Sequence, residues 1–215
     1  MYALEVRWNA WITSLETRGV AARALLKPGA SEDEIEALEA TIGARLPAEA
    51  RELYSHSNGQ TGIFQFHPHQ SGMLAAPIFG GYEFNSLERT AWEWTSWREI
   101  RDQSSAEELE DFDRSVDVRA GHPVRKLYTH PLWVPFATDG GGNSLALDLD
   151  PCLGGARGQI IVIGSDEDER RVLAPGLVAF LTNITQLLEA GRLTITRQDR
   201  DAPIAFFDIE PGFLQ

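Results

Sequence analysis

Apolar residues at Leu4, Trp8, Trp11, Ile12 and Leu15 recur at the 3.6-residue period and predict an amphipathic N-terminal helix within 3–26. Gly19 and the pair Pro28-Gly29 interrupt or end it. A second helix is predicted from Ser31. Ser31 and Glu34 form a capping-box pattern, and Ile35, Leu38 and Ile42 share a face. Gly43 suits its C-terminal stop. A short third helix follows Pro47, turns Leu53 and Tyr54 inward, and ends at Asn58-Gly59. The alternation in Ile63-Phe64-Gln65-Phe66 predicts a strand. Turn signals fill 67–84, and Leu87 to Asp102 then reads as a fourth helix capped by Ser86. Residues 104–117 are acidic and read as a short helix plus loop added at the surface.

The second half is mainly strand. Trp133 to Ala137 leads into Asp139-Gly140-Gly141-Gly142-Asn143, and Ser144 to Asp148 alternates after it. Ile160 to Ile163 is a continuous apolar run suited to a central strand, with Arg171-Val172-Leu173 as a partner. Short turns between these runs indicate an antiparallel meander. Pro175 opens a last helix bearing Leu177, Phe180, Leu181, Ile184, Leu187 and Leu188, and Leu193 to Thr196 reads as a further strand. No repeat or low-complexity segment is present.

Several of these pieces form a recognisable set. They are Ile42-Gly43-Ala44-Arg45-Leu46-Pro47, Leu53-Tyr54 followed by Asn58-Gly59, the Asp139 to Asn143 turn after Trp133-Val134-Pro135-Phe136, Leu147-Asp148-Leu149-Asp150-Pro151, and Gly158-Gln159-Ile160. Together they resemble the SUKH superfamily, which includes the fungal cell-wall-synthesis regulator domain (the Smi/Knr-like domain) and many bacterial relatives. The resemblance covers roughly residues 30–190. It implies an α+β fold, with a twisted, mainly antiparallel sheet and helices packed against it. It further implies a single domain over 1–215, with the N-terminal helix and the acidic segment as additions. It implies a role as an immunity protein against toxins or as an interaction regulator, and it carries over no catalytic residue.

Composition narrows the function classes. Apolar residues make up 43% of the 215 positions, which is ordinary globular usage. Acids outnumber bases by 32 to 19, giving a net charge of −13. Such a surface repels phosphate backbones and anionic lipid, so neither nucleic acid nor membrane is an expected partner. It attracts basic proteins. Cys152 is the lone cysteine, which excludes an internal disulfide and fits a reducing compartment. No signal-peptide pattern opens the chain and no apolar run suffices to span a bilayer, so a cytoplasmic location is expected.

Candidate chemistry is sparse. The Asp139 to Asn143 loop lacks the Lys-Ser or Lys-Thr and the following helix of a phosphate loop, and reads as a hairpin turn. Asp139, Asp148 and Asp150 match no calcium-loop spacing, and read as a solvated sheet edge or turn. His67 and His69 flank Pro68, but no zinc pattern supports them. No Gly-x-Ser-x-Gly elbow occurs, and Cys152 has no activating neighbour beyond Arg157. No cofactor, metal or catalytic residue is therefore assigned. Paired carboxylates of a hydrolase are the weakest of three readings.

The fourth predicted helix carries the site expectation. At 100° per residue Leu87, Ala91, Trp94 and Trp97 face the core. Trp92 falls on the other side, flanked by Glu88, Thr95 and Glu99 with Asp102 close by. A Trp on a carboxylate-lined face suits contact with a basic partner; alternatively Trp92 is covered by the acidic insertion or the N-terminal helix. From Glu83 to Asp117, eleven acids oppose four bases, a surplus that supplies −7 of the −13. The expected function is a non-catalytic binding module: an immunity protein neutralising a cognate toxin with a basic surface, such as a nuclease, or else a regulatory scaffold for cell-wall or signalling partners.

Overall fold

The computed structural model describes residues 3–66, 72–197 and 203–209. Helices α1 (Ala3–Glu16), α2 (Ala22–Leu25), α3 (Glu32–Ile42) and α4 (Ala48–His56) come first. A two-residue strand β1 (Glu83–Phe84) leads to α5 (Leu87–Gln103), α6 (Ala106–Ser115) and a second two-residue strand β2 (Asp117–Val118). The meander β3 (Trp133–Thr138), β4 (Asn143–Asp148), β5 (Gln159–Gly164) and β6 (Glu169–Ala174) follows. Helix α7 (Leu177–Glu189) and the hairpin β7 (Leu193–Arg197) and β8 (Ala205–Ile209) end the described chain. The main sheet runs β1-β3-β4-β5-β6-β2, antiparallel throughout except where β2 joins β6 in parallel. The fold is α+β.

The local predictions have visible causes. Ser31 Oγ accepts the Glu34 N–H while the Glu34 carboxylate accepts the Ser31 N–H at 2.7 Å, the reciprocal box the spacing implied. Gly43 closes α3 in the left-handed region. In the sheet, Pro135 sits beside a register shift between Pro135 and Ala137, where its missing N–H interrupts the ladder least.

The sheet is covered on both faces. Val134, Phe136, Leu145, Leu147, Ile160 and Val162 point into the larger core, which α1, α4 and α7 complete. Trp8, Phe79, Phe84 and Phe136 meet there edge-on or tilted, each pair contributing about 0.5–1.5 kcal/mol beyond area burial. Trp133, Ala146, Ile161 and Ile163 point the other way, against Val124 and Leu127 of the 119–132 loop and Trp97 of α5. That loop is strapped down by Arg170, which is fully buried. Its guanidinium donates to the carbonyls of Leu127, Tyr128 at 2.8 Å, and Glu167. Desolvation pulls its pKa down to about 10, still far above neutrality, so the charge persists and the carbonyls solvate it.

Three expectations are corrected. Ile63 to Phe66 is a turn and not a strand, because Ile63 alone is buried while Phe64 is exposed. The stretch read as 3–26 breaks into α1 and the single-turn α2. Asp148 is no solvated edge: it is fully buried. The strand β8 lies in the tail that the sequence pattern left unassigned. His67 and His69 lie outside the described residues.

The junction after α4 gives a test. Gly59 has φ +82°, and a Cβ there would lie 2.4 Å from the Ser86 nitrogen. Gly19 has φ +86° and open space around it. Gly59→Ala is expected to destabilise by about 2–4 kcal/mol and Gly19→Ala by about 1 kcal/mol, read from denaturant midpoints. Equal losses would mean that backbone strain alone, and not the close approach, sets the cost.

His130 gives a second. Desolvation lowers its pKa below 6.5, outweighing the Asp150 carboxylate, and its Nδ1 accepts the Leu132 N–H at 3.2 Å. The folded chain therefore takes up this proton less readily than the unfolded chain. The stability involved is complete above pH 6.5 and is lost as the pH falls through the lower folded value. Thermal melts should show the wild type losing stability as the pH falls below 6.5, and His130→Gln losing less.

Candidate interaction surface

Helix α5 is locked in rotation before any outward residue is considered. Its first turn is capped twice: Ser86 Oγ accepts the Arg89 N–H at 3.2 Å, and Asn58 Oδ1 accepts the Leu87 N–H at 2.8 Å. Leu87, Thr90 and Trp94 are buried. The Thr90 hydroxyl meets the Tyr54 hydroxyl at 2.8 Å, and the Trp94 indole donates to the Pro131 carbonyl at 2.8 Å. Burial holds the Tyr54 phenol well above its ordinary pKa, so it remains a neutral partner.

With that face committed, Glu88, Trp92, Thr95, Glu99 and Asp102 all stand exposed along one outer stripe. Trp92 is 55% exposed; neither α6 nor α1 covers it. Its neighbour is Arg89, whose guanidinium sits 4.2 Å from the ring centroid and pairs with Glu93 at 2.7 Å. The apolar pattern did not single out Arg89, although an i, i+3 spacing from Trp92 was the available signal. Asp102 pairs with Arg98 at 3.1 Å. Glu88 and Glu99 make no ion pair or hydrogen bond among the described residues. Trp97, expected in the core, is half-buried and lies against Tyr128 on the second face.

The acidic insertion is helical. Ser105 and Glu108 repeat the capping box, and α6 buries none of its side chains. It is anchored by Phe112 stacked on Tyr128 at 5.1 Å, and by the Asp113 carboxylate accepting the Tyr128 N–H at 2.7 Å.

A groove of about 600 Å³ opens beside the α5 stripe. Lys27, Pro28, Glu34, Ala37, Leu38, Leu87, Glu88 and Ala91 are among the residues that line it. Glu34 is held below its usual pKa by the backbone and hydroxyl of Ser31, so this carboxylate stays ionised well into acid. Chain separation hid the groove: its walls come from residues 27–41, 58 and 86–91.

The other candidate clusters are structural. Asp139 accepts the N–H groups of Gly141 and Asn143 and the Asn143 amide, closing the β3–β4 turn. Asp148 accepts from Gln159 Nε2 at 2.8 Å and from the Asp150 N–H at 3.0 Å. Desolvation raises its pKa against those bonds, and the Trp133 indole N–H favours the ionised form without reaching hydrogen-bonding geometry. Asp150 turns away and pairs with Arg125 at 2.6 Å. Among the described residues no group of His, Cys, Asp and Glu could hold a metal ion.

Comparison with known proteins bears on this scaffold. The family described as SMI1 / KNR4 family (SUKH-1) matches residues 29–183, which contain α3, α5 and the whole meander. The chain is 25% identical over 223 residues to a "Glucan synthesis regulatory protein" of Neurospora crassa, covering 88% of this chain and 40% of that protein. It is 30% identical over 185 residues to the "Cell wall biosynthesis/cell cycle regulator smi1" of Schizosaccharomyces pombe, covering 83% and 34%. The "Cell wall assembly regulator SMI1" of Saccharomyces cerevisiae shares 37% over 78 residues, covering 36% and 15%. The chain therefore spans well under half the length of these relatives, and they are named as regulators. Motif contacts, topology and the matched span converge, and the chain belongs to the SMI1 / KNR4 family (SUKH-1).

Proposed function

We propose that this chain is a non-catalytic regulatory module that acts by holding another protein, and that the outer stripe of α5 is part of its contact surface. The observation that carries the reading is the uncommitted face. Trp92 is presented to solvent on a helix fixed by two caps and three inward anchors, and the Glu88 and Glu99 carboxylates beside it have no partner among the described residues. A rigid aromatic ringed by unpaired charge offers a partner both area and steering. The relatives named above are regulators of cell-wall or glucan synthesis, so partners in cell-wall or signalling control are the first class to test. No helix among the described residues is long and apolar enough to cross a membrane, and a cytoplasmic setting suits the lone Cys152.

The net charge of −13 favours a second reading, neutralisation of a basic toxin. The two are separated by affinity capture with the wild-type chain and with Trp92→Ala. Several housekeeping proteins retained by wild type support the regulatory reading, and one dominant toxin encoded nearby supports the other. Trp92→Ala should weaken capture about tenfold or more, with folding stability changed by less than about 0.5 kcal/mol. Reversing Glu88, Glu99 and Asp102 to Lys should slow association and flatten its salt dependence. An unchanged on-rate removes α5 from the interface.

A further inference from the structure

We infer that β7 is a self-association edge: two copies of this chain pair antiparallel through it, with Ile195 opposite Ile195. The direction of the β7 main chain follows from its neighbour. The Ala205 N–H donates to the Ala75 carbonyl at 2.8 Å, which turns Ala205 away from β7. Ala205 opposes Arg197, and the ladder runs without a register shift to Ile209 opposite Leu193. In an antiparallel ladder the N–H and C=O of one residue point to the same side, and the side alternates along the strand. Leu193, Ile195 and Arg197 therefore direct their N–H and C=O away from β8, while Thr194 and Thr196 bond to Asp208 and Phe206. Among the described residues β8 is the one strand hydrogen-bonded to β7. Natural edge strands are kept from pairing by short length, Lys, Pro, bulges or a covering element. The main sheet follows that rule, since its edge strands β1 and β2 are both two residues long. β7 does not: it runs for five residues, Leu-Thr-Ile-Thr-Arg, with no Pro, Lys or bulge.

The strand's own sequence identifies the occupant as a second copy. Leu193, Ile195 and Arg197 are spaced symmetrically about Ile195, so a two-fold axis there brings the outward groups of one β7 onto those of the other. Ile195 then pairs with Ile195 of the second copy, and Leu193 with its Arg197. The two Arg197 cations lie on opposite sides of the axis and do not oppose each other. Thr194 stands opposite Thr196 on both sides of the axis, a cross-strand pair that favours a sheet. Both threonines are exposed, so these pairs form at the surface. The Thr-Ile-Thr palindrome makes the edge complementary to itself, which an unrelated strand does not require. Five residues a side make a small interface, so the dimer is weak and concentration-dependent. The net charge of −13 on each copy opposes it, so salt strengthens it, the reverse of what a basic partner would show. Neither β7 nor β8 contributes to the α5 stripe, so this association is separate from the partner contact proposed above.

Sedimentation equilibrium of the full chain, from about 10 µM to about 1 mM, should show a mass rising toward twice that of the monomer. The rise should be steeper at about 0.5 M salt than at about 0.05 M. Two double variants at the exposed threonines read the register. Thr194→Lys with Thr196→Lys sets like charges opposite each other and should weaken the dimer at least about tenfold, although it lowers the net repulsion between copies. Thr194→Lys with Thr196→Glu sets opposite charges across the same pairs at unchanged net charge, and should associate at least as tightly as wild type. Ile195→Pro removes the central N–H, which β8 does not use, so the hairpin ladder is kept and the dimer is lost. Melting curves check that each variant folds; should Ile195→Pro fail to fold, the two threonine variants decide. A wild type that stays monomeric to about 1 mM overturns the proposal. So does a dimer that the first double variant leaves unchanged, or one that the second weakens as much as the first.

Discussion

At the end of α4 the backbone of Gly59 passes so close to Asn85 and Ser86 that a methyl group would lie 2.4 Å from a backbone nitrogen. Around that crossing the polar groups are shared out completely. Asn58 caps α5, the Gly59 carbonyl accepts the Lys27 N–H, and Gln60 Oε1 accepts the N–H groups of both Ile78 and Phe84. The Gln60 N–H reaches the Phe84 carbonyl. The 27–29 loop, the end of α4, strand β1 and the start of α5 are thereby fixed to one another within a few residues. The rotation of α5, and with it the outward position of Trp92, is a consequence of that crossing.

The motif residues that carry the family resemblance are spent on such scaffold contacts. Gly43 ends α3, and the Leu46 N–H donates to the buried Glu39 carboxylate at 2.8 Å. Burial raises the Glu39 pKa, but the hydrogen bonds from Arg51 and Leu46 outweigh it and keep it ionised. A Cβ on Gly158 would meet the Pro47 ring at 2.5 Å, so the loop before β5 can pass α4 only as glycine. Asn143 ties the β3–β4 turn to the β5–β6 turn by accepting the Asp166 N–H. None of these groups faces the α5 stripe. A fold built this way can be kept while its outer surface changes, and this separates the identity of the family from the identity of the partner.

Elements with a strong period were legible: the α1 stripe, both ends of α3, the Ser86 cap, the meander and the apolar face of α7. What escaped has physical causes. Strands β1 and β2 are two residues long and exist through tertiary pairing, so they leave no periodic trace. Ile63 to Phe66 alternates like a strand, yet among the described residues no segment pairs with it. Burial of Asp148 and Arg170 is invisible in a local pattern because their partners, Gln159 and the Leu127 and Tyr128 carbonyls, lie 11 to 43 positions away. For the candidate site, the exposed stripe was readable from helical phase alone. The Arg89 contact and the groove required the fold.

Electrostatics and burial divide the work at this surface. Exposed ion pairs such as Arg98–Asp102 are worth about 0–1 kcal/mol and are screened over about 8 Å at physiological salt. The surplus of acids on α5 and α6 therefore speeds encounter with a cationic partner and does little to hold it. Retention must come from apolar area taken out of water, at about 25 cal/mol per Å². On α5 and α6 that area lies in the exposed Trp92 ring and, to a lesser extent, in Phe112. A partner that used only the charge would dissociate quickly, and one that used only the ring would lack orientation.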